Sequence, residues 1–178
     1  MFNHISIGPQ SPDIVNAVIE IPQNTHNKYE YDESQGIIRL DRVLFSSQFY
    51  PVDYGFIPQT RSLDGDHLDI MIITNSPTFP GCLVECIPVG VLLMTDDKGI
   101  DEKILAVPSK NPNFTKITTI GDIDSHIILE IANFFETYKK LENKVVVLDG
   151  WKSETVAKQI ILDSQSRFNQ ETKTNYQN

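Results

Sequence analysis

The chain has 178 residues and 40% hydrophobic residues, enough for one ordinary domain with a sizeable core. It carries 24 Asp+Glu against 15 Lys+Arg, a formal net charge of −9, which counts against non-specific binding to nucleic acid or to an anionic membrane. No run approaches the roughly 18 consecutive apolar residues of a membrane-spanning helix, and the start MFNHISIGPQ predicts no secretory signal, so a cytoplasmic location is expected.

In chain order, short Val- and Ile-rich runs punctuated by Pro, Gly and Asn predict strands. They are Ala17–Ile21, Lys28–Asp32, Ile37–Val43, Leu68–Ile73, Leu83–Met94 and Lys103–Val107. Many short strands with turn signals point to a closed or nearly closed barrel. From Ser125 the period changes: Ile127, Ile128, Ile131, Phe134, Phe135, Tyr138 and Leu141 form one helical stripe, with Asp124 or Ser125 as N-cap. A short strand is expected at Val145–Leu148. A second helix is expected after Ser153, with Val156, Ala157, Ile160, Ile161 and Phe168 inward. The polar end, about 169–178, is expected to be a mobile tail of a single domain spanning 1–178.

Cys82 and Cys86 lie on one strand run, roughly 13 Å apart at about 3.3 Å per residue, too far for a disulfide. They read as packed thiols.

The sharpest chemical feature is Asp64-Gly65-Asp66-His67-Leu68-Asp69, three carboxylates at the mouth of a strand. A solvated acidic turn is the plain alternative. Hard divalent cations take carboxylate oxygens, and that is the sharper reading. An EF-hand loop fails, because its sixth position is Asp69 and its twelfth Asn75. A second acidic group, Asp96-Asp97-Lys98-Gly99, reads as a hairpin turn. Just beyond it, Asp101 and Lys103 are spaced to share a strand face. Lys28, Glu30 and Asp32 share a face in the same way, opposite Tyr29 and Tyr31. Arg42, Tyr50 and Tyr54 follow around a Pro51 turn, where ordinary aromatic packing explains the segment nearly as well.

Together these stretches resemble the soluble family I inorganic pyrophosphatases, in order, from about Val15 to Lys158. The likeness is carried by Val18-Ile19-Glu20-Ile21-Pro22, Lys28-Tyr29-Glu30, Asp41-Arg42, Phe49-Tyr50-Pro51 with Tyr54-Gly55, and Asp64-Gly65-Asp66 with Asp69. It continues through Pro88-Val89-Gly90-Val91 with Met94-Thr95-Asp96, Asp101-Glu102-Lys103 with Val107-Pro108, and Phe134-Phe135-Glu136 with Tyr138-Lys139. His67 stands where the family signature usually has Pro or Glu; it reads as a surface histidine with no direct role.

The resemblance implies an α+β, mainly β fold: a five-stranded OB-like closed barrel with two C-terminal helices packed against it. It implies Mg²⁺-dependent hydrolysis of pyrophosphate to two phosphates, with several ions per site, and a homo-oligomer, a hexamer by the habit of short bacterial members. It places Asp64, Asp69, Asp96, Asp101, Glu20 and Glu30 on metals and makes Asp66 the general base. Lys28, Arg42, Tyr138 and Lys139 would grip phosphate oxygens. Tyr50, Tyr54 and Lys103 would complete the polar wall. Two rival readings are an OB-type nucleic-acid module, which the aspartate-rich loops oppose, and a metal- or phosphate-binding protein without turnover.

Overall fold

A computed structural model describes residues 2, 4–97 and 99–175. In chain order the strands are β1 (Val15–Ile21), β2 (Asn27–Asp32), β3 (Ile37–Val43), β4 (Asp53–Ile57), β5 (Leu68–Ile72), β6 (Leu83–Asp96) and β7 (Gly99–Pro108). Helix α1 (Ser125–Thr137), strand β8 (Val147–Ser153) and helix α2 (Glu154–Asn175) complete the chain.

The main sheet runs β1-β4-β5-β7-β6-β8, and β1 also pairs with β6. That extra pairing closes β1, β4, β5, β7 and β6 into a five-stranded ring, the expected closed barrel. All ladders in it are antiparallel except β5–β7. β6 is long enough to serve two neighbours on one edge, β1 along Leu83–Cys86 and β8 along Gly90–Thr95. The β2–β3 hairpin forms a separate two-stranded sheet.

Alternation along the ring strands feeds two apolar clusters. Met71, Ile73, Leu105 and Val107 join one with Ile131, Phe134 and Phe135 of α1. Ile70, Ile72, Ile104 and Ala106 join the other with Ala157 and Ile161 of α2. Asp124 caps α1 by accepting from the His126 amide at 2.8 Å.

The structure departs from the sequence reading in several places. Leu141, read on the α1 stripe, lies beyond that helix and is exposed. The stretch after Pro51, for which no strand is predicted, forms strand β4. Every residue of β4 is buried, so the segment shows no alternation. Gly55 in its middle lets β1 approach: a Cβ there would stand 2.0 Å from the Val18 carbonyl oxygen. The eighth strand begins at Val147 rather than Val145. On α2, Val156 faces outward and Ser164 takes an inward position, fully buried. The helix also runs through Asn175, into the polar stretch, where Glu171 accepts from Arg61 Nε at 2.8 Å. Positions 176–178 of the expected tail, and Lys98 of the expected hairpin turn, lie outside the described residues. Cys82 and Cys86 are free thiols, and burial pushes Cys86 far up.

Candidate active site

One cavity of about 620 Å³ opens at one end of the ring. Each element brings its share of side chains to it. β1 supplies Glu20, the β2–β3 hairpin Lys28, Glu30 and Arg42, and β4 Tyr54. The β4–β5 connection supplies Asp64 and Asp66, and β5 supplies Asp69. The β6–β7 hairpin adds Asp96, Asp101 and Lys103, and the segment after α1 adds Tyr138 and Lys139. These residues are separated widely along the chain and converge only through the closed ring.

The floor is a charge network around Lys103, which is 3% exposed. The parallel β5–β7 register sets Asp69 beside Lys103. Lys103 Nζ donates to Asp69 Oδ2 at 2.7 Å, to Asp101 Oδ1 at 2.9 Å and to the Tyr54 hydroxyl at 2.9 Å. The Tyr54 hydroxyl donates in turn to Asp69. Burial alone would lower the Lys103 ammonium, but Asp69 and Asp101 more than offset it and hold it well above the usual lysine range. Burial, reinforced by the Asp69 and Asp101 charges, pushes the Tyr54 phenol well up.

The walls carry cations already paired with carboxylates. Arg42 donates to Asp41 Oδ2 at 2.6 Å and to Glu142 Oε1 at 3.1 Å. Lys28 pairs with Glu30 and lies 3.6 Å from Asp41. Lys139 Nζ donates to Asp96 Oδ2 at 2.6 Å. At the mouth Lys144 pairs with Asp97 at 2.9 Å.

Glu20 accepts from the Tyr31 amide at 2.6 Å. Burial first, then the Asp69 charge, pushes its carboxyl up to about 8. A divalent cation is the kind of partner that would let this group ionise. The donor set fits such an ion, being hard carboxylate oxygens facing one cavity. Among the described residues no three acidic groups are drawn into one tight cluster; Lys103 and Lys139 stand against these like charges instead.

The acidic turn is built by the chain around Gly65, whose φ of +93° suits glycine. The Ser62 amide donates to the Asp66 carbonyl oxygen at 2.8 Å, and the Asp66 amide donates to Asp64 Oδ1 at 3.1 Å. All expected metal and substrate residues thus line one cavity. Tyr50 does not: it is buried beneath Tyr54, with its ring 4.8 Å from that of Phe134. His67 is not a plain surface residue. Its side chain is 12% exposed, its ring stacks on Phe56 at 4.9 Å, and Nδ1 lies 2.9 Å from the Thr60 carbonyl oxygen. Sequence reasoning also passed over Arg61, Glu33 and Lys144, which line the cavity. None stands inside an acidic motif, so no local signal marks them.

The family model for inorganic pyrophosphatase matches residues 17–169. An inorganic pyrophosphatase of Methanosarcina mazei is 50% identical over 160 residues, covering 90% of this chain and 95% of that one. One from Halalkalibacterium halodurans is 43% identical, covering 88% and 96%. The crystal structure of the inorganic pyrophosphatase from Thermus thermophilus superposes with a TM-score of 0.92 at 42% identity, covering 94% of this chain and 98% of that one. The five-stranded ring, the two helices and the cavity at its end therefore have one shared origin: the chain belongs to the inorganic pyrophosphatase family.

Proposed function

We propose that this protein hydrolyses inorganic pyrophosphate to two phosphates with the help of divalent cations, Mg²⁺ first among them. The observation that carries the reading is the shared cavity, where a carboxylate floor faces a wall of Lys28, Arg42 and Lys139. Asp64, Asp69, Asp96 and Asp101 would hold the cations, with Glu20 and Glu30 in support. When bound, such ions neutralise the carboxylates and acidify water at the site.

The chain's own residues then divide the work. Asp66 accepts a proton from the attacking water as its oxygen bonds to phosphorus. The bridging P–O bond breaks, and the electron pair leaves with the second phosphate. Lys28, Arg42, Tyr138 and Lys139 hold phosphate oxygens and offset the charge that develops on the leaving group. Tyr54 and Lys103 keep Asp69 and Asp101 in place.

The test is phosphate release from pyrophosphate by the purified protein. Release with Mg²⁺ and none in excess EDTA is expected. Full activity in EDTA overturns the metal requirement, and binding without release favours the non-turnover alternative.

The same reading includes one pyrophosphatase domain and a homo-oligomer, a hexamer by family habit. A monomeric mass by light scattering at micromolar concentration would refute it. The same reading places the protein in the cytoplasm. Among the described residues no helix is long and apolar enough to cross a membrane.

A further inference from the structure

We propose that Arg61 is a positioning residue that clamps the acidic turn at Gly65 and so sets the aim of Asp66. The inference rests on the reading of Asp66 as the general base.

Arg61 is largely buried, its side chain 14% exposed. Its Nη1 donates to the Gly65 carbonyl oxygen at 3.1 Å, inside the turn that carries Asp64 and Asp66. The same nitrogen donates to Glu33 Oε2 at 3.3 Å, on the β2–β3 turn across the cavity. Nε donates to Glu171 Oε2 at 2.8 Å, and the guanidinium lies 5.5 Å over the Phe168 ring. The backbone is fixed as well. The Arg61 amide donates to the Ser164 carbonyl oxygen at 2.9 Å, and Arg167 Nε donates to the Arg61 carbonyl oxygen at 2.7 Å. The last three turns of α2 therefore hold Arg61 from behind, while Arg61 holds the turn in front.

Such a clamp has a physical purpose. Asp64, Asp66 and Asp69 are like charges lining one cavity, and Gly65 gives the turn conformational freedom. An always-charged planar fork on the Gly65 carbonyl opposes both effects. The other end of the turn is tied separately, by His67 Nδ1 against the Thr60 carbonyl oxygen and by the Leu68 amide donating to Thr60 Oγ1 at 2.9 Å. Glu33 also faces His67, at 3.7 Å from Nε2. Arg61 differs from Lys28 and Arg42, whose partners are carboxylates alone, in also holding a backbone carbonyl of the acidic turn. It is placed to orient a base rather than to bind phosphate.

The experiment compares Arg61→Ala, Arg61→Lys and Glu171→Gln with the unmodified protein by steady-state kinetics at saturating Mg²⁺. Amide hydrogen exchange of residues 62–68 is measured alongside. The unmodified protein's rate reports on the pyrophosphatase reading itself. For Arg61→Ala, kcat should fall about 10- to 100-fold, as for a misaimed group, with KM for pyrophosphate changed less than about threefold. Exchange at 62–68 should quicken. Arg61→Lys should recover part of kcat, because an ammonium can still reach the Gly65 carbonyl. A KM rise with kcat intact would make Arg61 a substrate cation and overturn the proposal. Unchanged exchange at 62–68 would overturn it whatever the activity. If Arg61→Ala does not fold, Glu171→Gln carries the test, with a smaller kcat loss and the same exchange signature expected, and their absence overturns it.

Discussion

Lys103 Nζ lies 2.7 Å from Asp69 Oδ2 across the parallel β5–β7 ladder, nearly sealed from solvent. Asp101 closes on the same ammonium at 2.9 Å. The pair of carboxylates is therefore held together by a cation that belongs to the fold. Lys103→Met keeps much of the side chain's volume and removes the charge. Asp69 and Asp101 then face each other uncompensated. Breaking a buried ion pair costs about 3–5 kcal/mol. The lower end applies here, because Asp69 and Asp101 keep 28% and 20% side-chain exposure. Urea denaturation should show that loss in metal-free buffer and a smaller one in Mg²⁺. A deficit untouched by Mg²⁺ would mean that the carboxylates do not share a cation site.

Gly55 sits where β4 passes closest to β1. A Cβ would lie 2.0 Å from the Val18 carbonyl oxygen and 2.8 Å from Ile19 Cα, both backbone atoms. Gly55→Ala must push the strands apart in the closed ring, so a loss of about 3 kcal/mol or more is expected. Gly121→Ala is the control. A Cβ there meets only Thr119 Oγ1, at an ordinary 3.6 Å, so its stability should change by less than about 1 kcal/mol. Thermal melting of both variants checks the contrast, and equal melting temperatures would contradict the close approach.

The same glycine explains part of what the sequence hides. Period-two patterns announce strands that have one wet face, as the alternation of Lys28, Glu30 and Asp32 with Tyr29 and Tyr31 does for β2. β4 has no wet face, its Gly is a response to a strand remote in sequence, and Pro51 imitates a turn. α1 was legible because a single stripe faces the core. The far end of α2 was not, since its polar residues are placed by Arg61, more than a hundred positions away in the chain. The aspartates of the site were legible for the opposite reason: function concentrates them locally, in one turn and one hairpin. Arg61, Glu33 and Lys144 join them only after folding. Tyr50 shows the reverse error, since an aromatic beside site residues in sequence packs behind them in space.

Arg42 is held as a fork, with Nη1 on Asp41 and Nε on Glu142. Burial would weaken its charge, but these two carboxylates raise its affinity for the proton. Lysine has one nitrogen and cannot span both partners while facing the cavity. Arg42→Lys should raise KM for pyrophosphate about tenfold and lower kcat by a similar factor, with the fold unchanged. Michaelis curves at fixed Mg²⁺ measure both. Kinetics indistinguishable from the unmodified protein would remove Arg42 from the substrate wall.

Asp66 and Asp69 stand three residues apart, yet the structure sets them in different surroundings. Asp69 is locked by Lys103 and Tyr54 on the cavity floor. Asp66 is exposed at the tip of the turn, with its backbone held by Ser62 and Asp64. An amide at either position keeps the shape of the side chain. Asp66→Asn cannot accept a proton from the attacking water, and loss of a general base costs about 10²–10⁴ in rate. Its affinity for Mg²⁺ should change little, because the cation ligands proposed on either side, Asp64 and Asp69, are intact. Asp69→Asn removes one of those ligands, so its Mg²⁺ requirement should rise. A Mg²⁺ titration of initial rate separates the two variants. Raising Mg²⁺ should recover much of the activity of Asp69→Asn and little of Asp66→Asn. Should saturating Mg²⁺ bring Asp66→Asn to the unmodified turnover, Asp66 acts through the cations and the proton must leave by another route.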